Sequence, residues 1–274
     1  MTGHVLVTGA RGAIGSAISE NLHQAGATVT ALDVAPIVTA EPYQQLVGDV
    51  RDLAAMTAAL YGVDAIVHCG GLPSDRKGRE YDTYDINIAG TCTLLLAAAR
   101  AGVPRIVHLS SINALGCVGA GTPAYLPVDD DHPHTPTSPY QLSKHLSEEA
   151  CRQFADRHDA TVMSLRPTYV IHKSSSPGPG VADLYAYVDI RDVVRAIRSA
   201  LTVDLTGFHT ALLAADDLWG GRLLSAVLTR DYDQIPWHDG NDPAPHTSLV
   251  NCANARSLLD WTPRFRHATA IPSA

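Results

Sequence analysis

The stretch TGARGAIG, residues 8–15, constrains this chain more than any other. It follows a short β-branched run, HVLVT at 4–8, and opens a segment in which Ile14, Ala17, Ile18 and Leu22 recur at helical spacing until Gly26. Glycines at 9, 12 and 15 allow a tight strand-to-helix turn and close approach of a ligand to the backbone. The helix N-terminus adds unpaired N–H groups and the positive end of a dipole, which suits a pyrophosphate. A second strand, ATVTALD, ends at Asp33, 18 residues past Gly15, and completes the strand-helix-strand unit of a dinucleotide fold. Asp33 would accept hydrogen bonds from the adenosine ribose hydroxyls and repel a 2′-phosphate, which favours NAD over NADP. Val34 brings no counter-charge, and Arg11 is the one basic residue in the turn.

The same alternation continues along the chain. QQLVGD reads as a strand, LAAMTAALYG as a helix, DAIVHCG as a strand, residues 79–101 as a long helix, and RIVHLSS as a strand. ATVMSLRP reads as a sixth strand and DIRDVVRAIRSAL as an amphipathic helix with Val193, Ile197 and Leu201 on one face. Such alternation predicts an α/β fold, a Rossmann-type doubly wound parallel sheet covered by helices on both faces. Residues 1–168, rejoined by 187–205, form the expected nucleotide-binding domain. Residues 169–186 and 206–274, where Trp219, Trp237 and Trp261 are spread among Gly and Pro turns, form the expected small carboxyl-terminal substrate subdomain. SSSPGPG, 174–180, cannot hold regular structure and reads as a mobile loop.

A formal charge of −8 with no basic run argues against a nucleic-acid partner. Cys69, Cys92, Cys117, Cys151 and Cys252 are odd in number and never form a C-x-x-C pair, which suits a reducing compartment. No apolar run reaches 18 residues and the first residues lack the basic head of a secretory signal, so a cytoplasmic protein without membrane association is expected. VDDDHPHTP, 128–136, gathers Asp129, Asp130, Asp131, His132 and His134, but prolines flank His134 and a solvated loop, not a metal site, is expected. His68 and His108 lie in apolar strands and read as hydrogen-bonded core or pocket-lining histidines.

SPYQLSKHL, 138–146, begins a helix: Ser138 can cap it and Pro139 fits the first turn. Tyr140 and Lys144 then share a face. A free phenol has a pKa near 10 and is a poor base at neutral pH, and a neighbouring ammonium would bring it into the working range. Ser110 and Ser111 end the fifth strand, at the sheet edge where ligands bind.

TGARGAIG, GDVRD, INIAGT, HLSS and YQLSK, in this order, resemble the extended short-chain dehydrogenase/reductase family, which includes the NAD-dependent epimerase/dehydratase proteins. The resemblance spans roughly residues 3–200 and implies Ser111, Tyr140 and Lys144 as a catalytic set. Ser111 is chosen over Ser110 because the family's catalytic Ser or Thr precedes a stretch ending in Gly, here INALG. The resemblance also implies Asn87 as a support of the active site, Asp49 near the adenine, and the HCGG segment around Gly70 along the cofactor. The expected cofactor-binding set is Gly9, Arg11, Gly12, Ala13, Ile14 and Gly15 in the turn, then Asp33, Asp49 and Val50. Cys69, Gly70, Gly71, Asn87, Tyr140, Lys144, Pro167 and Thr168 complete it.

Only about twenty residues separate Pro167 from YVDIRD, so the chain is similar to the compact uronate dehydrogenases and a small, nucleotide-free substrate is expected. It departs from them where the uronate is recognised. Ile112-Asn113 stands for Asn-His, Pro73 replaces a serine, and a loop arginine is missing, with His172 and Lys173 the basic candidates in its place. Ile112 points to a more apolar partner. The expected activity is NAD-dependent hydride transfer to or from an alcohol or ketone of a sugar or other small oxygenated metabolite, by a homodimeric enzyme. Two alternatives stay open: a sugar or nucleotide-sugar epimerase or dehydratase, and a non-catalytic dinucleotide-binding sensor.

Overall fold

A computed structural model describes residues 3–36, 42–75, 77–172, 178–238 and 246–266. The first four strands are β1 (His4–Thr8), β2 (Thr28–Asp33), β3 (Gln44–Val47) and β4 (Ala65–His68). They are followed by β5 (Arg105–Leu109), β6 (Thr161–Pro167), β7 (Tyr169–Ile171), β8 (Tyr187–Asp189) and β9 (Gly207–Leu213). Seven of them make one sheet in the order β3-β2-β1-β4-β5-β6-β9, parallel throughout. β7 and β8 pair separately.

The strand sequences show why the sheet is buried on both sides. Val5 and Val7 of β1, with Val67, Val107 and Met163, enter one apolar core, while Leu6, Ile66, Ile106 and Val162 enter the other. Period-two alternation of apolar with apolar residues is what a doubly covered parallel sheet requires. On one face lie α1 (Ala13–Gln24) and α6 (Ile190–Ala200), whose Ile18, Leu22, Val193 and Ile197 fill the first core. On the other lie α2 (Leu53–Ala59), α4 (Gly90–Ala101) and α5 (Pro139–His158), contributing Met56, Leu94 and Phe154. The long helix expected over 79–101 is present as α3 (Glu80–Tyr84) and α4, joined by one π-helical turn, Asp85–Ala89.

The chain builds outward from β1 in one direction and restarts at β4 in the other, so the crevice between the carboxyl ends of β1 and β4 is the topological switch point. Residues 207–213, expected in the substrate subdomain, instead pair with β6 along its whole length, from Thr161↔Gly207 to Pro167↔Leu213. The strand is an edge, half of it only partly buried, and its one β-branched residue is Thr210, so its sequence carries little strand pattern. Trp261 is likewise drawn into the larger body. It is fully buried in the first core and its indole N–H donates to the Asp192 carbonyl of α6 (2.9 Å).

The segment 128–136 also differs from expectation. The Asp130 side chain is buried; its backbone carbonyl (3.0 Å) and carboxylate (3.2 Å) accept from Arg166 of β6, and the carboxylate also accepts from the Leu212 N–H of β9 (3.0 Å). His132 is buried too and accepts from the Ala124 N–H (2.9 Å). The acidic run is a strut between β6 and β9, because one carboxylate is held inward by a guanidinium. On its other side Arg166 meets Glu148 of α5 with two hydrogen bonds, 2.7 and 3.0 Å, and both residues are 1% exposed. Removing one partner of such a pair leaves a buried charge without compensation. Arg166→Met is therefore expected to lower the unfolding free energy by about 3–5 kcal/mol, read from urea denaturation. A loss under about 1 kcal/mol would contradict this packing.

Candidate active site

A cavity of about 710 Å³ opens at the switch point and brings together residues from the whole length of the nucleotide-binding body. The glycine turn forms its floor. Gly9 has φ +67°, and a Cβ there would lie 2.6 Å from the Cys69 carbonyl oxygen. At Gly15 a Cβ would lie 2.2 Å from the Gly9 carbonyl oxygen, so α1 can approach β1 only with glycine at that position. Gly12 caps α1 without a side-chain hydrogen bond, which leaves the first-turn N–H groups for an anionic ligand. These features fit the diphosphate of a dinucleotide.

Of the sequence-predicted set, Gly9, Gly12, Ala13, Ile14, Gly15, Cys69, Gly71, Ser111, Tyr140, Lys144, Pro167 and Thr168 line this cavity. Arg11, Asp33, Asp49, Val50, Gly70 and Asn87 do not. The Asp33 carboxylate accepts from the Arg11 N–H (2.9 Å) at the end of β2, so the acid is fixed beside the glycine turn. Asp49 is paired with Arg51 (2.5 Å), whose hydrogen bond holds its carboxyl below the usual carboxylate range. Val50 is buried beneath Gly70, and the Gly70 N–H donates to the Thr8 hydroxyl (3.2 Å).

The proton-handling residues are placed by α5. Ser138 caps it, its hydroxyl accepting from the Gln141 N–H while Gln141 Oε1 accepts from the Ser138 N–H. Asp75 adds a third acceptor, for the Tyr140 N–H at 2.7 Å. Ser111 and Tyr140 line the same cavity, and the Ser111 hydroxyl acts to lower the phenol. Ser111 Oγ also accepts from the backbone and side-chain N–H groups of Asn113 (3.2 and 3.3 Å). Lys144 Nζ donates to the Leu109 carbonyl at 2.8 Å and lies 5.9 Å from the centre of the Tyr140 ring.

The electrostatics differ from the expected lowering of the phenol. Enclosure pushes Tyr140 up to about 12; the Ser111 hydroxyl acts the other way and the Asp75 charge adds to the rise. The same enclosure pushes Lys144 down to about 8. Loss of hydration dominates, so the phenol is protonated at neutral pH. Behind them, His68 hydrogen-bonds Thr8 (2.7 Å) and Thr91 (3.0 Å), and His108 hydrogen-bonds Ser164 (2.9 Å). Burial keeps both neutral, His68 at about 3, and they serve the core.

Asn87 sits in the π-helical turn, buried, and does not reach the cavity. Its amide donates to the Leu72 carbonyl (3.2 Å) and Ser143 Oγ (2.9 Å), and its oxygen accepts from the Leu72 N–H (2.7 Å). It ties the segment following Gly71 to α5 and so braces the cavity wall. Tyr169, Val170 and Asp183, unassigned from the sequence, complete the cavity, together with His172, one of the two basic candidates for the missing loop arginine. Arg166 and Glu148 were also unassigned, although a charge inside the apolar run VMSLRP and an acid four residues after Lys144 were there to be read. Lys173 and residues 174–177 of the expected loop lie outside the described residues. Among the described residues, no group of three or more His, Cys, Asp or Glu is arranged to hold a metal ion, and no helix is long and apolar enough to cross a membrane.

Residues 5–180 match the NAD dependent epimerase/dehydratase family. The chain belongs to this family. It is an enzyme and NAD is its cofactor. It is 30% identical over 216 residues to a uronate dehydrogenase of Pseudomonas putida, covering 78% of this chain and 76% of that one. It is also 30% identical over 194 residues to a putative UDP-glucose 4-epimerase of Methanocaldococcus jannaschii, covering 68% of this chain and 62% of the relative. Among solved structures, a short-chain dehydrogenase/reductase superfamily protein from Agrobacterium tumefaciens with bound NAD superposes with a TM-score of 0.76 at 25% identity, covering 96% and 93% of the two chains.

The position of Asp33 gives a direct test of cofactor choice. Asp33→Ala removes a charged acceptor, a change worth about 1.5–3 kcal/mol, so NAD affinity by calorimetry is expected to fall about tenfold or more while NADP affinity does not fall with it. Equal loss for both cofactors would contradict the role given to this carboxylate.

Proposed function

We propose that this enzyme is a dehydrogenase/reductase acting on a small, nucleotide-free sugar or similar oxygenated metabolite through Ser111, Tyr140 and Lys144. The observation that carries the reading is that Ser111, Tyr140 and Lys144 line one cavity with the glycine cradle, the Lys144 amine 5.9 Å from the Tyr140 ring. NAD in that cradle supplies the hydride chemistry. Ser111 would orient the substrate oxygen against the phenol, and Tyr140 would give or take the proton at Oη. Its resting state is that of a proton donor, since enclosure holds the phenol at about 12. A charged Lys144 favours the phenolate that remains after donation.

The compact segment between β6 and β8 supports a substrate without a nucleotide. Tyr169–Ile171 pairs with Tyr187–Asp189, and the connection between them, residues 172–186, is short; of it His172 and Asp183 line the cavity. Asp183 lines that side, and with Pro73 and Asn113 it gives a wall suited to hydroxyl groups more than to a uronate carboxylate. The five free cysteines support a cytoplasmic location. Exposed Leu96 on α4 and Leu146 on α5, two helices that pack together, support a homodimer formed over that face.

The test is a screen of neutral sugars, uronates and nucleotide sugars with NAD and with NADP, following nicotinamide absorbance. NAD-coupled turnover of a nucleotide-free compound is expected, with kcat reduced by about 10²–10⁴-fold in Tyr140→Phe and NAD affinity retained. Conversion of nucleotide sugars with no net NADH release would favour the epimerase reading. A Tyr140→Phe variant as active as the parent would remove the proton role.

A further inference from the structure

Lys144 is held in a place that disfavours its charge, and the groups around it come from β4 and the residue after it, from β5 and from α5 itself. His68 of β4 and His108 of β5 face it and are neutral. Tyr140 on its own helix is a neutral phenol. The thiols of Cys69, after β4, and Cys151 of α5 are pushed up by burial, Cys69 to about 12, so neither carries charge where the amine titrates. The remaining group acting on the amine is Glu148, one turn further along α5 and on the same helical face.

Glu148 is held in place from three directions. It is 1% exposed, takes two hydrogen bonds from Arg166 at 2.7 and 3.0 Å, and accepts a third from the Ser110 hydroxyl at 2.5 Å. Arg166 is balanced in turn by Asp130 at 3.2 Å. His134 stands 3.5 Å from Arg166 and is hydrogen-bonded to His145 at 2.8 Å; burial and the guanidinium both keep His134 neutral. The buried cluster therefore holds Lys144 and Arg166 against Glu148 and Asp130, two positive charges against two negative.

We propose that Glu148, clamped by Arg166 and Ser110, is the counter-ion that keeps the Lys144 amine charged inside the cavity. It is a positioning residue, acting on the reaction only through Lys144, and this role rests on the function proposed for that amine. Without Glu148 the cluster would hold two cations against one carboxylate, and the proton on Lys144, the more easily released, would leave first. The same carboxylate ties Ser110 beside Ser111, so the strand end and the amine answer to one group.

The chain contains three lysines, Lys77, Lys144 and Lys173, so [¹³Cε]lysine NMR resolves the titration of Lys144 without any turnover, assigned by loss of one signal in Lys144→Arg. In the parent protein the signal is expected to titrate near pH 8. In Glu148→Gln the midpoint should fall by about one unit or more, leaving less than about a tenth of the amine charged at pH 8. Glu148→Asp, which keeps the charge and shortens the arm, should restore most of it. An unmoved midpoint in Glu148→Gln would overturn the proposal, as would Glu148→Asp behaving like Glu148→Gln, since that would make the effect one of shape. Should Glu148→Gln not fold, Asp130→Asn removes the other negative charge and is expected to move Lys144 downward too; no movement there would overturn it. A midpoint that shifts as expected in an enzyme whose Tyr140→Phe variant is fully active would uphold the counter-ion and reject the proposed function instead.

Discussion

Loss of hydration at the carboxyl ends of the parallel strands governs this molecule. The same enclosure that holds the Tyr140 phenol at about 12 brings the Lys144 amine to about 8 and strips His68 and His108 of their protons. In water an ammonium near a phenol would simply favour the phenolate. Behind a wall of β4, β5 and α5 both groups are shifted toward their neutral forms, and chemistry needs a device that keeps charge where it is useful. The Arg166–Glu148 pair, with Asp130 beyond it, is the visible candidate for that device.

That arrangement depends on geometry fixed far earlier in the chain. Gly15 brings α1 against the end of β1, and Gly9 brings the turn against the backbone after β4, so closely that no side chain fits at either contact, and the crevice this leaves is the one onto which Tyr140 and Lys144 face. The π-helical turn at Asp85–Ala89 places Asn87 so that one amide spans the loop after β4 and the start of α5. A small widening in the long helix thus locks the wall that carries the tyrosine to the wall that carries the cofactor cradle. Extra residues in a helix turn are often found at such sites.

Much of this was legible in the sequence because local rules and tertiary demands agree. The glycine turn, the strand-helix alternation and the Ser138–Pro139 helix start each follow from one short stretch, and the structure has them at those positions. What could not be read depends on partners distant in the chain. β9 is held as a strand by pairing with β6, not by its own residues, and Trp261 is core only because α6 lies beside it. Asp130 looks like a solvated acid until Arg166 and the Leu212 N–H are seen around it. The direction of the Tyr140 shift was misjudged for a related reason: a spacing of four residues shows that Lys144 is near, but not how little water reaches either group.

The central claim is that Tyr140 in the free enzyme is a phenol kept neutral by its enclosure, and [¹³Cζ]tyrosine NMR reads that property directly. Ten tyrosines contribute, and Tyr140→Phe identifies the signal that belongs to this residue. The account predicts a Tyr140 resonance that stays in its neutral form beyond about pH 10, where an ordinary phenol is half ionised. A resonance that titrates below about pH 9 in the free enzyme would contradict it, and would show that the charge of Lys144 prevails over burial after all.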